Sequence, residues 1–168
     1  MRFSVLYIDD DAAIARLVQR YMGRLGHEVA HSETEDDALA LLRARPFDVV
    51  VLDHYLRQTT GHDVLARMRE AAIDVPVVYV TGSNEAQVAI EAIKAGAADY
   101  VIKTVSDDFL SLLSSAVEQT VANAQLRAAK ARADEEIRLG KERAEALLAE
   151  VNHRVANSLA LVASLLRL

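Results

Sequence analysis

The segment Asp48–Asp53, which reads DVVVLD, decides the fold because four consecutive apolar residues end at a carboxylate. An uninterrupted Val and Leu run is typical of a strand that is buried on both faces, as in a parallel sheet. Val5–Ile8 and Val75–Val80 are two further runs of nearly the same character. We therefore predict a parallel sheet that is covered by helices on both sides.

Strand-like and helix-like segments alternate through the first part of the chain. The predicted strands are Phe3–Ile8, Glu28–His31, Asp48–Leu52, Val75–Val80 and Tyr100–Ile102. Between them, apolar residues recur every three to four positions, which is the period of a helix with one buried face. Five such β-α units predict a doubly wound α/β domain.

The composition excludes several classes of protein. The chain has 168 residues, no Cys and a formal net charge of -6. The lack of Cys excludes disulfides and thiolate metal sites, and suits a reducing cytoplasm. No apolar run reaches the roughly 20 residues that cross a bilayer, and an acidic balance argues against a nucleic-acid surface. We expect a cytoplasmic protein with no membrane and no nucleic-acid partner.

The sequence changes character after Val105. From Ser106 to Leu168 it is rich in Ala, Leu, Glu, Arg and Lys, which are strong helix formers, and Ser106 before two Asp suits a helix N-terminus. Apolar residues recur every three to four positions, with a change of register near Asp134 to Gly140 that is typical of a coiled-coil stutter. Because this narrow apolar stripe needs a partner, we predict a parallel homodimer through the helix. The alternative is a helix that folds back on its own domain.

Charged and hydroxyl side chains follow four of the predicted strands. They are the acidic triplet Asp9–Asp11, then Asp53, Thr81 and Lys103. Functional groups of an open α/β sheet lie at the carboxyl ends of its strands, so we expect these side chains at one edge. A helix cap is the alternative explanation for the triplet.

This set of side chains suits phosphoryl transfer. Clustered carboxylates repel one another, and a hard cation with oxygen ligands such as Mg²⁺ relieves that repulsion. An Asp beside the ion can attack phosphorus, because the cation neutralises charge on the phosphoryl oxygens. We predict Asp53 as the nucleophile, since it stands alone at the end of the central strand, with Asp9 and Asp10 as metal ligands. Lys103 and the Thr81 hydroxyl would hold the phosphoryl oxygens.

Four segments, VLYIDDDAAIARLV, DVVVLDHYL, VPVVYVTG and AADYVIKT, resemble the signature segments of two-component receiver domains over residues 1–120. The resemblance implies a flavodoxin-like (βα)5 fold with sheet order 2-1-3-4-5, followed here by the long helix. It also implies that a histidine kinase or phosphotransfer protein donates the phosphoryl group from a phosphohistidine to Asp53. The implied Mg²⁺ ligands are Asp10, Asp53, the backbone carbonyl of Tyr55 and, in support, Asp9. Thr81 and Tyr100 match the family's switch pair, and Lys103 matches its active-site lysine.

The sequence departs from the receiver pattern at two positions. Arg57 and Thr104 stand where receivers usually have Pro, which puts the geometry of the loop after Asp53 and the usual cis peptide after Lys103 in question. His54, next to the acceptor, has two interpretations, a relay residue or an ordinary loop side chain, and the second is favoured because rim loops commonly carry polar groups.

The segment Glu150–Leu168, EVNHRVANSLALVASLLRL, contains a second candidate site. His153 and Asn157 are four residues apart and share one helix face. The run His153–Leu159 resembles the H-box of histidine kinases of the HWE-related H-R-x-x-N-x-L type, although Ala156 stands where Lys is frequent. The resemblance implies that His153 is a kinase phosphoacceptor with Arg154 and Asn157 as H-box residues, and Glu150 is a weak candidate for its general base.

These observations suggest three parts, a receiver (1–120), a signalling helix (121–149) and the start of a kinase dimerisation helix (150–168). We expect a fragment of a receiver-containing histidine kinase in which phosphorylation of Asp53 controls kinase output to a downstream response regulator. This sequence contains no ATP-binding domain, so it should not phosphorylate itself. The alternatives are a non-catalytic response regulator whose helical tail dimerises or binds a partner, and a phosphorelay carrier between His153 and Asp53.

Overall fold

The computed structural model of the chain describes residues 2–82, 86–104 and 108–165. Within these described residues, five strands alternate with five helices. They are β1 Ser4–Ile8, α1 Ala12–Arg24, β2 Glu28–Ser32, α2 Glu35–Ala44, β3 Val49–Asp53, α3 Gly61–Glu70, β4 Val77–Gly82, α4 Ala86–Lys94, β5 Asp99–Lys103 and α5 Asp108–Leu165.

The five strands form one parallel sheet in the order β2-β1-β3-β4-β5. This confirms the predicted flavodoxin-like fold and its strand order. The strand ends differ slightly from the prediction, because β3 includes Asp53, β4 includes Thr81 and β5 includes Lys103. In register, Asp53 pairs with Val80, and Gly82 pairs with Lys103. Asp53 and Lys103 thus lie at the last ladder positions of β3 and β5, and Thr81 lies at the last but one of β4, where backbone pairing fixes them.

Two hydrophobic clusters cover the two faces of the sheet. In β1, Val5 and Tyr7 belong to the cluster packed with α1 and the start of α5, whereas Leu6 and Ile8 belong to the cluster packed with α2 and α3. β3 alternates in the same way. Successive side chains of a strand point to opposite faces. When both faces are buried, no side chain in the middle of the strand faces water. This explains the continuous apolar runs in the sequence.

The chain divides into two compact units, residues 1–124 and residues 125–168. In the first unit, Phe109, Leu113, Val117 and Val121 of α5 are buried in the core. These buried residues are four positions apart, which confirms the three-to-four spacing of apolar residues expected for the start of the helix. The helix N-terminus predicted at Ser106 lies outside the described residues.

The second unit consists of the remainder of α5, which continues through Gly140. Its described apolar side chains, among them Leu148, Val151 and Val155, are exposed in the single chain, and Arg138 forms ion pairs with Glu135 and Glu142 on its own helix. Leu166, which continues the predicted apolar register, lies outside the described residues. Among the described helices, none has a stretch long and apolar enough to span a bilayer.

Candidate functional site

Three of the predicted site residues are in direct contact at the carboxyl edge of the sheet. Lys103 Nζ at the end of β5 lies 2.7 Å from Asp9 Oδ2 and 3.1 Å from Asp53 Oδ1. Asp9 is fully buried and Asp53 is 6 % exposed. One ammonium group therefore bridges two buried carboxylates that are 44 positions apart in the sequence, an arrangement produced by the parallel strand order.

The carboxylate of Asp9 is held by groups on three sides. The Tyr7 hydroxyl donates a hydrogen bond to Oδ2 at 2.7 Å, and the backbone N–H of Asp11 donates to Oδ1 at 2.8 Å. Burial raises the pKa of Tyr7 far above its usual value, and the nearby charge of Asp9 adds to this effect. Tyr7 therefore remains a donor, and the side chain of Asp9 has a fixed orientation toward Lys103.

The protonation of Asp53 reflects its burial. Loss of water raises the pKa of Asp53 from its usual 3.8 to about 6, the charge of Lys103 opposes this effect, and the charge of Asp9 adds to it. For Lys103, burial lowers the pKa, but the hydrogen bond to Asp9 and the charges of Asp53 and Asp9 outweigh burial and raise it above its usual value. At neutral pH the edge thus holds an ionised Asp53 beside a charged Lys103, with one cation for two anions.

The three acids of the triplet have different contacts. Asp11 is the N-cap of α1 and accepts hydrogen bonds from the backbone N–H groups of Ala13 and Ile14 at 2.8 and 3.2 Å. These bonds lower the pKa of Asp11. Asp10 is half-buried, and its Oδ2 lies 3.8 Å from Nε of Arg57. The helix-cap interpretation therefore applies to Asp11, whereas Asp9 faces the acceptor edge.

The donor atoms at this edge suit a hard divalent cation. Two buried carboxylates share one ammonium group, so the negative charge is incompletely balanced, and carboxylate oxygens are ligands that Mg²⁺ prefers. The loop after β3 is tied to the acceptor, because the N–H of Tyr55 donates to Asp53 Oδ2 at 3.2 Å. Within residues 2–82, 86–104 and 108–165, no three His, Asp or Glu side chains are grouped closely enough to enclose a metal ion by themselves. Any ion held here would need backbone oxygens or waters in addition.

The predicted switch residues occupy neighbouring strands. Thr81 is buried on β4, and its Oγ1 is 3.5 Å from the carbonyl of Gly82. Tyr100 on β5 is 44 % exposed. The described residues contain no cis peptide bond, so the peptide between Lys103 and Thr104 is trans.

The predicted H-box residues lie in the second unit, on α5. His153 is exposed, and its Nε2 lies 3.2 Å from Nδ2 of Asn157. Arg154 is also exposed, and its carbonyl accepts a hydrogen bond from the Ser158 hydroxyl. The shared helix face predicted for His153 and Asn157 is thus present as a side-chain contact.

One polar cluster beside the acceptor was missed by the sequence prediction. The hydroxyl of Tyr79, in β4, lies 2.8 Å from Nδ1 of His54 and 3.1 Å from Nδ1 of His62. The His54 side chain is partly buried, and its ring contacts the Tyr79 hydroxyl. The available signal was a Tyr inside an otherwise aliphatic strand, together with two His on either side of the loop.

The fold and the edge geometry agree with the comparison to known families. The model of the response regulator receiver domain matches residues 5–114, so the chain belongs to this family. The family match ends before the H-box segment.

The similar proteins are response regulators. The alginate biosynthesis transcriptional regulatory protein AlgB of Pseudomonas putida is 39 % identical over 111 residues, which are 66 % of this chain and 25 % of AlgB. The regulatory protein LuxO of Vibrio cholerae is 33 % identical over 127 residues, which are 76 % of this chain and 26 % of LuxO.

Among solved structures, the receiver domain of NtrX from Brucella abortus is 30 % identical and superposes with a TM-score of 0.62, covering 69 % of this chain and 98 % of that domain. The chain spans about a quarter of the length of the curated relatives it matches. Signalling by phosphorylation of an Asp is therefore supported, whereas fusion to a histidine kinase helix is not shown.

Proposed function

We propose that this chain accepts a phosphoryl group on Asp53 from the phosphohistidine of a partner histidine kinase or phosphotransfer protein. An oxygen of the Asp53 carboxylate forms a bond to phosphorus while the bond from phosphorus to the donor's ring nitrogen breaks, and that imidazole takes up a proton. The observation that carries the proposal is the contact of Lys103 with the buried carboxylates of Asp9 and Asp53.

Each neighbouring residue has a proposed task. The expected Mg²⁺ ligands are Asp10, Asp53 and the Tyr55 carbonyl, with Asp9 in support. When bound, Mg²⁺ supplies positive charge to the phosphoryl oxygens. Lys103 would move its hydrogen bond from Asp53 to a phosphoryl oxygen, and the Thr81 hydroxyl would bind another. Rearrangement of Thr81 and Tyr100 would then report phosphorylation to the adjoining surface.

Phosphorylation can be tested with a small donor. Acetyl phosphate and Mg²⁺ should shift the wild-type band on a phosphate-affinity gel and add one phosphoryl mass, whereas Asp53→Ala should show neither change. Asp74→Ala removes an exposed Asp outside the site and serves as the matched control. Equal labelling of wild type and Asp53→Ala would refute the assignment of the acceptor.

The output of the receiver is proposed to run through α5. Exposed apolar residues spaced by three and four, such as Leu148, Val151, Val155 and Val162, support a parallel homodimer, since this spacing is that of a coiled-coil seam. In that register His153 lies on the face opposite the seam, accessible to an enzyme. We propose that residues 121–149 are the signalling helix and that residues 150–168 begin a kinase dimerisation helix with His153 as its phosphoacceptor.

The names of the relatives favour a second candidate, a response regulator whose helix dimerises or binds a partner without kinase chemistry. The two candidates differ in one experiment. A fusion of the ATP-binding domain of a histidine kinase after Leu168, given ATP, should label the wild type and not His153→Ala if the kinase hypothesis holds. Absence of labelling in the wild type, or labelling that survives His153→Ala, would favour the second candidate. Asn152→Ala, an exposed position on the same helix, serves as the control. Sedimentation equilibrium tests the dimer, which a monomer mass at micromolar concentration would refute.

A further inference from the structure

The hydroxyl of Tyr79 connects two segments that flank the loop after the acceptor. His54 directly follows Asp53, and His62 is in the first turn of α3. Both imidazoles present Nδ1 to the hydroxyl, at 2.8 and 3.1 Å, and Tyr79 itself is fully buried in the sheet. The hydroxyl therefore connects both ends of the loop to β4 through its contacts with His54 and His62.

Backbone hydrogen bonds tie the same residues to the acceptor. The N–H of His54 donates to the carbonyl of Val80 at 3.0 Å, and the N–H of Gly61 donates to the carbonyl of His54 at 2.8 Å. One residue further, the N–H of Tyr55 donates to the Asp53 carboxylate. A shift of His54 would therefore move the peptide that contacts the acceptor and carries the expected Mg²⁺-binding carbonyl.

The close approach of α3 to this cluster depends on Gly61. A Cβ at this position would lie 2.5 Å from the Tyr79 hydroxyl and 2.7 Å from the carbonyl oxygen of Asp53. These distances are too short for any side chain, so the start of α3 reaches the end of β3 only because residue 61 is Gly. The same approach brings His62 within hydrogen-bond distance of Tyr79.

The protons of the cluster can be placed from its geometry. A hydroxyl has one proton, so it can donate to at most one of the two imidazoles, and at least one imidazole must donate an N–H to it. His62 Nε2 is buried and has no hydrogen-bond partner among the described residues. A buried N–H without an acceptor is rarer than a bare acceptor, which assigns the His62 proton to Nδ1. The Tyr79 hydroxyl then accepts a hydrogen bond from Nδ1 of His62.

We propose that Tyr79, His54 and His62 are positioning residues that hold the backbone at Asp53 and Tyr55 in the geometry required for Mg²⁺ and the phosphoryl group. This inference rests on the proposed function of Asp53. The three side chains act through the loop and not on the phosphoryl group. Partners that orient metal ligands from outside the ligand set typically change metal affinity by about 10- to 100-fold when they are removed.

The first test is Tyr79→Phe in the full chain, which removes only the hydroxyl. We expect Mg²⁺ binding, measured by isothermal titration calorimetry, to weaken about tenfold while the circular dichroism spectrum stays that of the wild type. Tyr21→Phe is the matched control, because Tyr21 packs against the cluster on the other face of the sheet, and its Mg²⁺ affinity should not change.

The second test replaces His62, so that the proposal can still be judged if Tyr79→Phe does not fold. An Asn side chain can place an amide near the position of Nδ1, so His62→Asn should keep Mg²⁺ affinity close to that of wild type, whereas His62→Leu should weaken it about tenfold. Nitrogen-detected NMR of the imidazoles should show the Nδ1–H tautomer for His62 in the wild type and its loss in Tyr79→Phe. A cluster that only stabilises the fold would lower the melting temperature and leave Mg²⁺ affinity unchanged.

The outcomes separate the two proposals. If folded Tyr79→Phe and His62→Leu bind Mg²⁺ as tightly as wild type, the positioning role is wrong, although acetyl phosphate labelling of Asp53 would still support the proposed function. Equal losses in His62→Asn and His62→Leu would also overturn it. If the wild type neither binds Mg²⁺ nor becomes labelled, the proposed function fails, and the positioning role fails with it.

Discussion

Replacement of Asp53 by Asn is predicted to stabilise the receiver unit at neutral pH without divalent cations. Burial raises the pKa of Asp53 from 3.8 to about 6, so the ionised carboxylate is less stable in the folded protein than in the unfolded chain. A difference of roughly two units corresponds to about 3 kcal/mol at about 1.36 kcal/mol per unit. Asn is neutral and similar in shape, but it does not reproduce the ion pair with Lys103. We therefore expect a gain of about 1–3 kcal/mol in the free energy of unfolding.

The pH dependence gives the sign of the effect. The unfolded chain loses the proton of Asp53 near pH 3.8, whereas the folded protein keeps it up to about pH 6. The stability contributed by this group is thus present below about pH 4 and is lost as the pH rises through 6. The advantage of Asp53→Asn should be largest at pH 7.5 and should disappear toward pH 4. Asp74→Asn, at an exposed position, should show no such trend.

Intrinsic tyrosine fluorescence during urea unfolding is the appropriate assay. The chain contains five Tyr and no Trp, and all five Tyr lie at or before residue 100. The signal therefore reports on the receiver unit and not on the second unit. If Asp53→Asn is no more stable than wild type at pH 7.5 in EDTA, burial does not penalise the charge of Asp53 and the reasoning is refuted. Mg²⁺ at about 100 times its dissociation constant should stabilise the wild type by about 2.7 kcal/mol and the variant by less.

Three further predictions follow from the same contacts. Because Mg²⁺ must displace the proton of Asp53, whose pKa burial raises to about 6, Mg²⁺ affinity in calorimetry should fall as the pH is lowered from 7 to 5; a constant affinity would contradict this. Asp11→Ala removes the N-cap of α1, so the melting temperature should decrease while Mg²⁺ affinity stays unchanged, and a parallel loss of affinity would instead make Asp11 a metal ligand. Gly61→Ala should lower the free energy of unfolding by about 1–3 kcal/mol through overpacking, as measured in urea, whereas Gly23→Ala, whose Cβ would meet nothing within 4 Å, should not.

Much of the fold was predictable because burial on two faces leaves a visible pattern. The central positions of β1, β3 and β4 carry only Val, Leu, Ile or Tyr, so their apolar runs identify a parallel sheet that is covered on both sides. β2 and β5 are edge strands, and their more mixed sequences made their limits harder to predict. The strand ends were placed one or two residues early, because Asp53, Thr81 and Lys103 are polar but still take part in the backbone ladder.

The contact of Asp9, Asp53 and Lys103 was predictable for a topological reason. Parallel strands bring their carboxyl ends to one edge, so side chains far apart in sequence become neighbours. The cluster around Tyr79 was not predictable in this way. Its hydrogen bonds depend on how closely α3 approaches β3, and that distance is set by the missing side chain of Gly61. In the sequence, Tyr79 stands out among the aliphatic residues of its strand, but nothing there indicates that its hydroxyl meets His54 and His62.

The pairing of Arg57 with Asp10 has a consequence for charge balance during the signalling cycle. Asp9, Asp10 and Asp53 carry three negative charges against one on Lys103, a deficit that a divalent cation cancels without Arg57. A phosphoryl group carries about two negative charges at pH 7, so phosphorylation exchanges the single charge of Asp53 for a larger one and reopens the deficit. Arg57, which is largely exposed and 3.8 Å from Asp10, would be a nearby cation that can offset this charge. The position where receivers usually carry Pro thus holds a cationic side chain that is paired with one of the expected Mg²⁺ ligands.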